Sequence, residues 1–242
     1  MSHFPLDALW LSLSPRLQRF DRRLLQQLND QMDLGYWQYS QTLDEPCCLT
    51  TALALLHDYI QQSDRPLHLL GHGISGCLAL LYAQRYPQWV RSLTILSVGS
   101  NPALSWHSHY YALRRLLPCH RPMILAQIVR LLFGPQSYEL TQAFIKILAA
   151  DLDSALSPHS LAHQTPMTIA SVPVPILAIV GRQDQILTPL GNAQLPWLKA
   201  SDRLYLCPEG RHFCHYEYPQ RIAQEIGEFW MAVEPTMTLI AA

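Results

Sequence analysis

The stretch LLGHGISG, residues 69 to 76, ends an apolar run in a tight glycine-rich turn and leads into a helical pattern. Acyl transfer at such a turn needs an atom that attacks and a base that takes its proton. Gly73, at the apex, has no such atom. Ser75 has a hydroxyl, within a Gly-x-Ser-x-Cys pattern over residues 73–77. The strand HLL fixes the register and places Ser75 in the first helical turn, two residues past the apex. It reads either as a displaced nucleophile or as a small residue bonded to backbone. In WHSHYY, His107 and His109 form an HxH pair suited to a metal, but no third ligand is in view and they read as helix surface. Trp106, Tyr110 and Tyr111 suit either a pocket for an apolar or aromatic ligand or a helical core. The six cysteines contain no CxxC pair, so no zinc site and no cofactor are expected. They read as reduced and buried, Cys77 among them, and His72 reads as packed beneath the turn.

The elements that must position these groups follow from hydrophobic period. ALWLSLS, LGYWQYS, PLHLLGH and SLTILSVG read as strands. Helical spacing separates them: Leu17, Phe20, Leu24, Leu25 and Leu28, then Leu49, Leu53, Leu56 and Ile60. A third helix places Ile74, Cys77, Leu78, Leu81 and Tyr82 on one side. Residues 101 to about 170 hold helical patterns only. Strand character returns at VPILAIVG, followed by a helix near 189 to 199, the strand RLYLCPEG and a last helix, YPQRIAQEIGEFWMAV. His215 and Glu217 read as the start of that helix. Alternating strands and helices imply a parallel sheet covered on both faces, with ligands at the strands' carboxyl ends. The expected organisation is a core over 1–100 and 171–234, a helical lid over 101–170 and a loose tail over 235–242.

Composition limits the function. A formal net charge of −1 argues against nucleic-acid binding. Charged residues make up 14% of the chain, against roughly 25% in an average domain. The surface is thus expected to be partly apolar, suited to a protein partner, a lipid-like ligand or peripheral membrane contact. No apolar run reaches the length of a transmembrane helix. The N-terminal stretch, with Asp7 inside it, reads as a strand rather than a signal peptide, and a cytoplasmic location is expected.

Three segments in order resemble the α/β-hydrolase superfamily: HLLGHGISGCLALLYAQRYPQWVRSLTILS, PILAIVGRQDQILTP and EGRHFCHYEYPQ. The resemblance covers nearly the whole chain. It implies that fold, with a mostly parallel sheet flanked by helices and a helical lid, and it places the elbow at Gly73, the acid at Asp184 and the histidine at His212. It also makes the N–H of Ile74 an oxyanion donor. The departures are as specific. The elbow lacks serine, cysteine or aspartate. Arg211 precedes the histidine where the family has glycine. SLSPRLQRF stands in place of the family's His-Gly oxyanion loop, YSQTLDEPCC replaces its Asp-x-x-Gly stretch, and the opening N-terminal hairpin is missing. A glycine apex removes chemistry and backbone strain together.

The sequence therefore implies a hydrolase-like protein without ordinary esterase activity, binding a small apolar molecule or a protein partner. The alternative is an active enzyme, using either His212 with Asp184 as a general base or Ser75 as nucleophile. An Asp–His pair also ties two loops together without any chemistry.

Overall fold

The computed structural model describes residues 6–40, 48–100, 105–154, 170–187 and 195–238, with side chains to 233. Six strands form one sheet in the order β2-β1-β3-β4-β5-β6. They are β1 (Ala8–Ser12), β2 (Leu34–Gln38), β3 (Leu67–His72), β4 (Val90–Leu96), β5 (Ile176–Gly181) and β6 (Arg203–Cys207). Every described pairing is parallel. The chain runs outward from β1 to β2, crosses back to β3, and continues in the other direction. The order reverses between β1 and β3, so their carboxyl ends open a crevice there.

β1 is buried along its whole length, as a central parallel strand must be. Its side chains alternate between two cores. Leu9 and Leu11 join α2 (Leu49–Ile60) and α3 (Ile74–Arg85). Ala8 and Trp10 join α1 (Gln18–Asn29) and the last helix. α1 forms because Phe20, Leu24 and Leu28 recur at four-residue spacing, and all three are fully buried. Pro15 opens the 3-10 turn that leads into it.

α3 departs from the one-sided helix expected from sequence. Ser75 through Leu80, Tyr82 and Ala83 are all buried, so the helix is enclosed between sheet and α2. Its close approach depends on small residues. A Cβ on Gly71 would lie 2.6 Å from the Ser75 carbonyl carbon, inside any real contact distance.

Between β4 and β5 the chain builds three helices, α4 (Trp106–Leu116), α5 (Arg121–Phe133) and α6 (Tyr138–Leu152). Ser105 and Ser108 cap α4 reciprocally. The three share a core of their own, centred on Phe133 and Phe144, which also takes in Phe20 of α1 and Phe213. The far part of the segment, residues 155–169, lies outside the described residues.

Two expectations need correction. His215 and Glu217 do not open the last helix; they lie on a separate single turn, α7 (Cys214–Glu217). The last helix, α8 (Pro219–Thr238), runs past Pro235 into the segment expected to be loose. Proline there removes one donor, whose partner would be the carbonyl of Met231, an exposed residue. The helix expected near 189 to 199 falls partly outside the described residues, and the part that follows, from Leu195, forms turns. No described helix is long and apolar enough to cross a membrane.

Candidate active site

Gly73 joins β3 to α3 with φ 55° and ψ −124°. A side chain in such a conformation costs on the order of 1 to 3 kcal/mol, and glycine avoids the cost. The geometry is that of a sharp strand-to-helix elbow, relaxed because its apex is glycine. A Cβ built at Gly73 would meet nothing within 4 Å, so the space above the apex is open. The N–H of Ile74, first in α3, has no partner among the described residues.

Asp184 follows β5 and His212 follows β6, and the parallel register brings both loops to the edge that carries Gly73. His212 Nδ1 lies 2.9 Å from Asp184 Oδ2, and both side chains are buried. The other carboxylate oxygen, Oδ1, accepts from the N–H groups of Ile186 (2.8 Å) and Leu187 (3.2 Å). Burial would raise the Asp184 pKa; the facing His212 and these two N–H groups outweigh it and hold the group below its usual value. An ionised Asp184 fixes Nδ1 as the protonated nitrogen. Nε2 then faces the cavity, with no hydrogen-bond partner among the described residues.

The His212 backbone is fixed as firmly as its ring. Its carbonyl accepts from Ser97 Oγ (2.6 Å) and from His72 Nε2 (3.0 Å). Ser97 follows β4 and is the one described non-glycine residue at positive φ, 50°. His72 packs against Phe213 at a tilt, 4.4 Å between centroids, and lies 4.8 Å from His215. Burial, then the neighbouring His215 and His212, push its pKa well down, so it donates as a neutral ring. His215 in turn bonds Asp21 through Nε2 (3.1 Å), and Asp21 also accepts from Trp10 Nε1 (3.2 Å). Burial raises the Asp21 pKa against these partners.

These groups surround a cavity of about 60 Å³ above Gly73, lined among others by Trp10, Ser97, Trp106, His107, His212 and Phe213. That is room for a few waters or a small organic group.

The profile of the alpha/beta hydrolase family matches residues 12–225. The chain belongs to this family. It is 44% identical over 227 residues to an uncharacterized protein of Synechocystis, sll0249, covering 93% of this chain and 90% of that one. It is 39% identical over 228 residues to an uncharacterized protein of Nostoc, alr2406, with the same coverage. Among solved structures, a meta-cleavage product hydrolase from Pseudomonas fluorescens aligns with a TM-score of 0.72 at 15% identity, over 96% of this chain and 92% of that one. A putative aryl esterase from Burkholderia cenocepacia aligns at 0.70 and 14%, over 97% and 93%. At such identities the likeness is one of fold.

In this hydrolase-family chain the other candidate residues fall as follows. Ser75 lines the cavity, but its Oγ accepts the N–H of Leu13 at 2.9 Å, tying α3 to the end of β1. Cys77 is buried beside it, its thiol pushed up to about 12 by burial. Cys207 and Cys214 are also buried, whereas Cys48 and Cys119 are only partly so; none of these forms a disulfide, and Cys47 lies outside the described residues. Of the three aromatic candidates, Trp106 lines the cavity, Tyr110 packs in the insertion core and Tyr111 is exposed. The expectation for His107 is corrected too. It is not on the surface; it is buried at the cavity wall with Nε2 2.8 Å from Asp151 Oδ2, a pair joining α4 to α6. Among the described residues the His109 ring bonds the carbonyl of Ser105, the N-cap of its own helix. No group of three possible metal ligands occurs among the described residues.

Arg211, the departure beside the histidine, has a structural use. Its N–H and Nη1 donate to the two carboxylate oxygens of Glu217 at 2.7 and 3.0 Å. Its guanidinium lies across Gly134, where α5 ends at φ 72°; a Cβ there would be 2.6 Å from the guanidinium carbon. Sequence reading missed Ser97, Asp21 and His215 as parts of the site. For Ser97 no residue-type signal exists, since serine ordinarily avoids positive φ.

Proposed function

We propose that this protein binds a small, mainly apolar molecule in the cavity above Gly73, beneath a lid formed by α4 to α6, without serine-hydrolase turnover. One observation carries the reading: a sharp elbow with a bare apex stands before a buried Asp184–His212 pair. The apex offers no attacking atom, whereas an acid–histidine pair of the kind that assists acyl transfer is present. Ser75 is a poor substitute, because its hydroxyl oxygen already serves Leu13. That same bond occupies an N–H in the loop after β1, where the family's second oxyanion donor would be sought. Leu11, Leu17, Val98 and Phe213 give the cavity its apolar lining.

The test is labelling by a fluorophosphonate probe. The native protein is expected to remain unlabelled. Gly73→Ser, which enters open space, is expected to gain labelling that a further His212→Ala change removes. Specific labelling of the native protein at any serine contradicts the reading.

The unpartnered Nε2 of His212 favours a second reading, general-base chemistry on a bound substrate. It requires turnover on a panel of esters and carbonyl compounds that His212→Ala abolishes while folding persists. A panel with no activity above buffer removes it.

A further inference from the structure

We infer that the corner between α4 and α5 docks on an anionic lipid surface. α4 ends at Leu116 and α5 begins at Arg121. Around this short connection large apolar side chains stand in water: Leu116 is 75% exposed, Met123 61%, Tyr111 42% and Leu117 41%. An isolated exposed leucine is ordinary, but a cluster at one corner is not.

The charges at the corner are net positive. Arg114 and Arg115 are exposed beside the leucines, and no aspartate or glutamate occurs between Asp64 and Glu139. Asp153 reaches the corner from the end of α6 and is taken by Arg121 at 2.7 Å. Arg114 Nη1 donates to the Cys119 carbonyl at 2.8 Å, which braces the turn and leaves its charge uncompensated. Arg115 has no partner among the described residues. The chain as a whole carries a formal net charge of −1, so this positive field belongs to the corner and not to the protein at large.

Apolar side chains interleaved with arginines match the chemistry of a lipid interface. The leucines and Met123 enter below the headgroups, Tyr111 sits at their level, and the guanidinium groups meet phosphate. An acidic protein surface satisfies the charges but needs a matching recess for Leu116 and Leu117, whereas a bilayer accepts them without one. The inference is independent of what the cavity holds.

Co-sedimentation with vesicles tests it, using phosphatidylcholine with and without phosphatidylglycerol. The protein is expected to pellet with the anionic vesicles, not with phosphatidylcholine alone, and to be released as salt rises. Each change, Arg114→Ala or Arg115→Ala, is expected to lower partitioning about fivefold. Leu116→Ser with Leu117→Ser is expected to lower it further without altering the salt dependence. All four positions are exposed, and circular dichroism checks that the variants fold. No binding to anionic vesicles at low salt overturns the inference. So does binding that survives the leucine changes, or association with an acidic protein in the absence of vesicle binding.

Discussion

Ser97 Oγ donates to the carbonyl oxygen of His212 across 2.6 Å, from a backbone held at φ 50°. The contact joins the end of β4 to the loop after β6, skipping β5. It shows that the histidine is positioned through its main chain as well as through Asp184.

Removing that hydroxyl leaves the strain and loses the bond. Ser97→Ala is therefore expected to destabilise the fold by about 1 to 2 kcal/mol. Ser97→Gly loses the same bond but relieves backbone strain, on the order of 1 to 3 kcal/mol. Urea denaturation should rank glycine above alanine here, the reverse of their order inside an ordinary strand.

Ser75 gives a comparable test of a structural hydroxyl. Ser75→Ala leaves the buried Leu13 N–H without an acceptor, at a cost of about 1 to 3 kcal/mol. Chemical denaturation measures the loss. In the Gly73→Ser background the same change is expected to leave probe labelling intact.

Acid should weaken the fold well before ordinary carboxylates protonate. Burial pushes His68 down to about 3, with Arg91 adding to the effect, and holds His72 well below 6.5. Both are neutral in the fold and take a proton in the unfolded chain below that value. Unfolding therefore binds protons, and stability falls as pH drops, by about 1.4 kcal/mol per pH unit for each group. Asp184, depressed, adds a loss of the same sign once pH falls below its unfolded value of 3.8. Asp21, raised by burial, acts oppositely: its contribution is present at low pH and is lost as pH rises through its folded value. Denaturant midpoints between about pH 7 and about pH 4 should fall less steeply for His68→Gln than for the native chain.

The pair His107–Asp151 predicts a large single-mutant effect. His107→Ala leaves a carboxylate buried without its partner, a change worth about 3 to 5 kcal/mol. Adding Asp151→Asn removes the charge and is expected to recover part of the loss. Thermal unfolding of the two variants decides this, and equal destabilisation would mean that the charge is not the cause.

How far the sequence reaches can be seen in these same residues. Strand and helix order was legible because apolar period follows burial on one face of each element, as Phe20, Leu24 and Leu28 show. The elbow, Asp184 and His212 were legible because each lies in a short segment whose pattern survives without its neighbours. The histidine cluster was not. His215 and Asp21 are far apart in the chain, and His107 meets Asp151 across two helices; such pairs exist only once the elements pack. α3 was misread as one-sided because enclosure by a neighbouring helix leaves no periodic mark. α8 runs to Thr238, past the end of the apolar pattern at Val233, because a helix can continue beyond the residues that bury it.

Arg211 gives the architecture a mechanical property. Its guanidinium rests on the bare main chain of Gly134, and the next residue along is His212. One side chain thus spans from the tail of α5 to the residue that precedes His212, and Glu217 holds it in place. A shift of the α5 end would therefore be felt at the peptide beside His212, two points far apart in the chain.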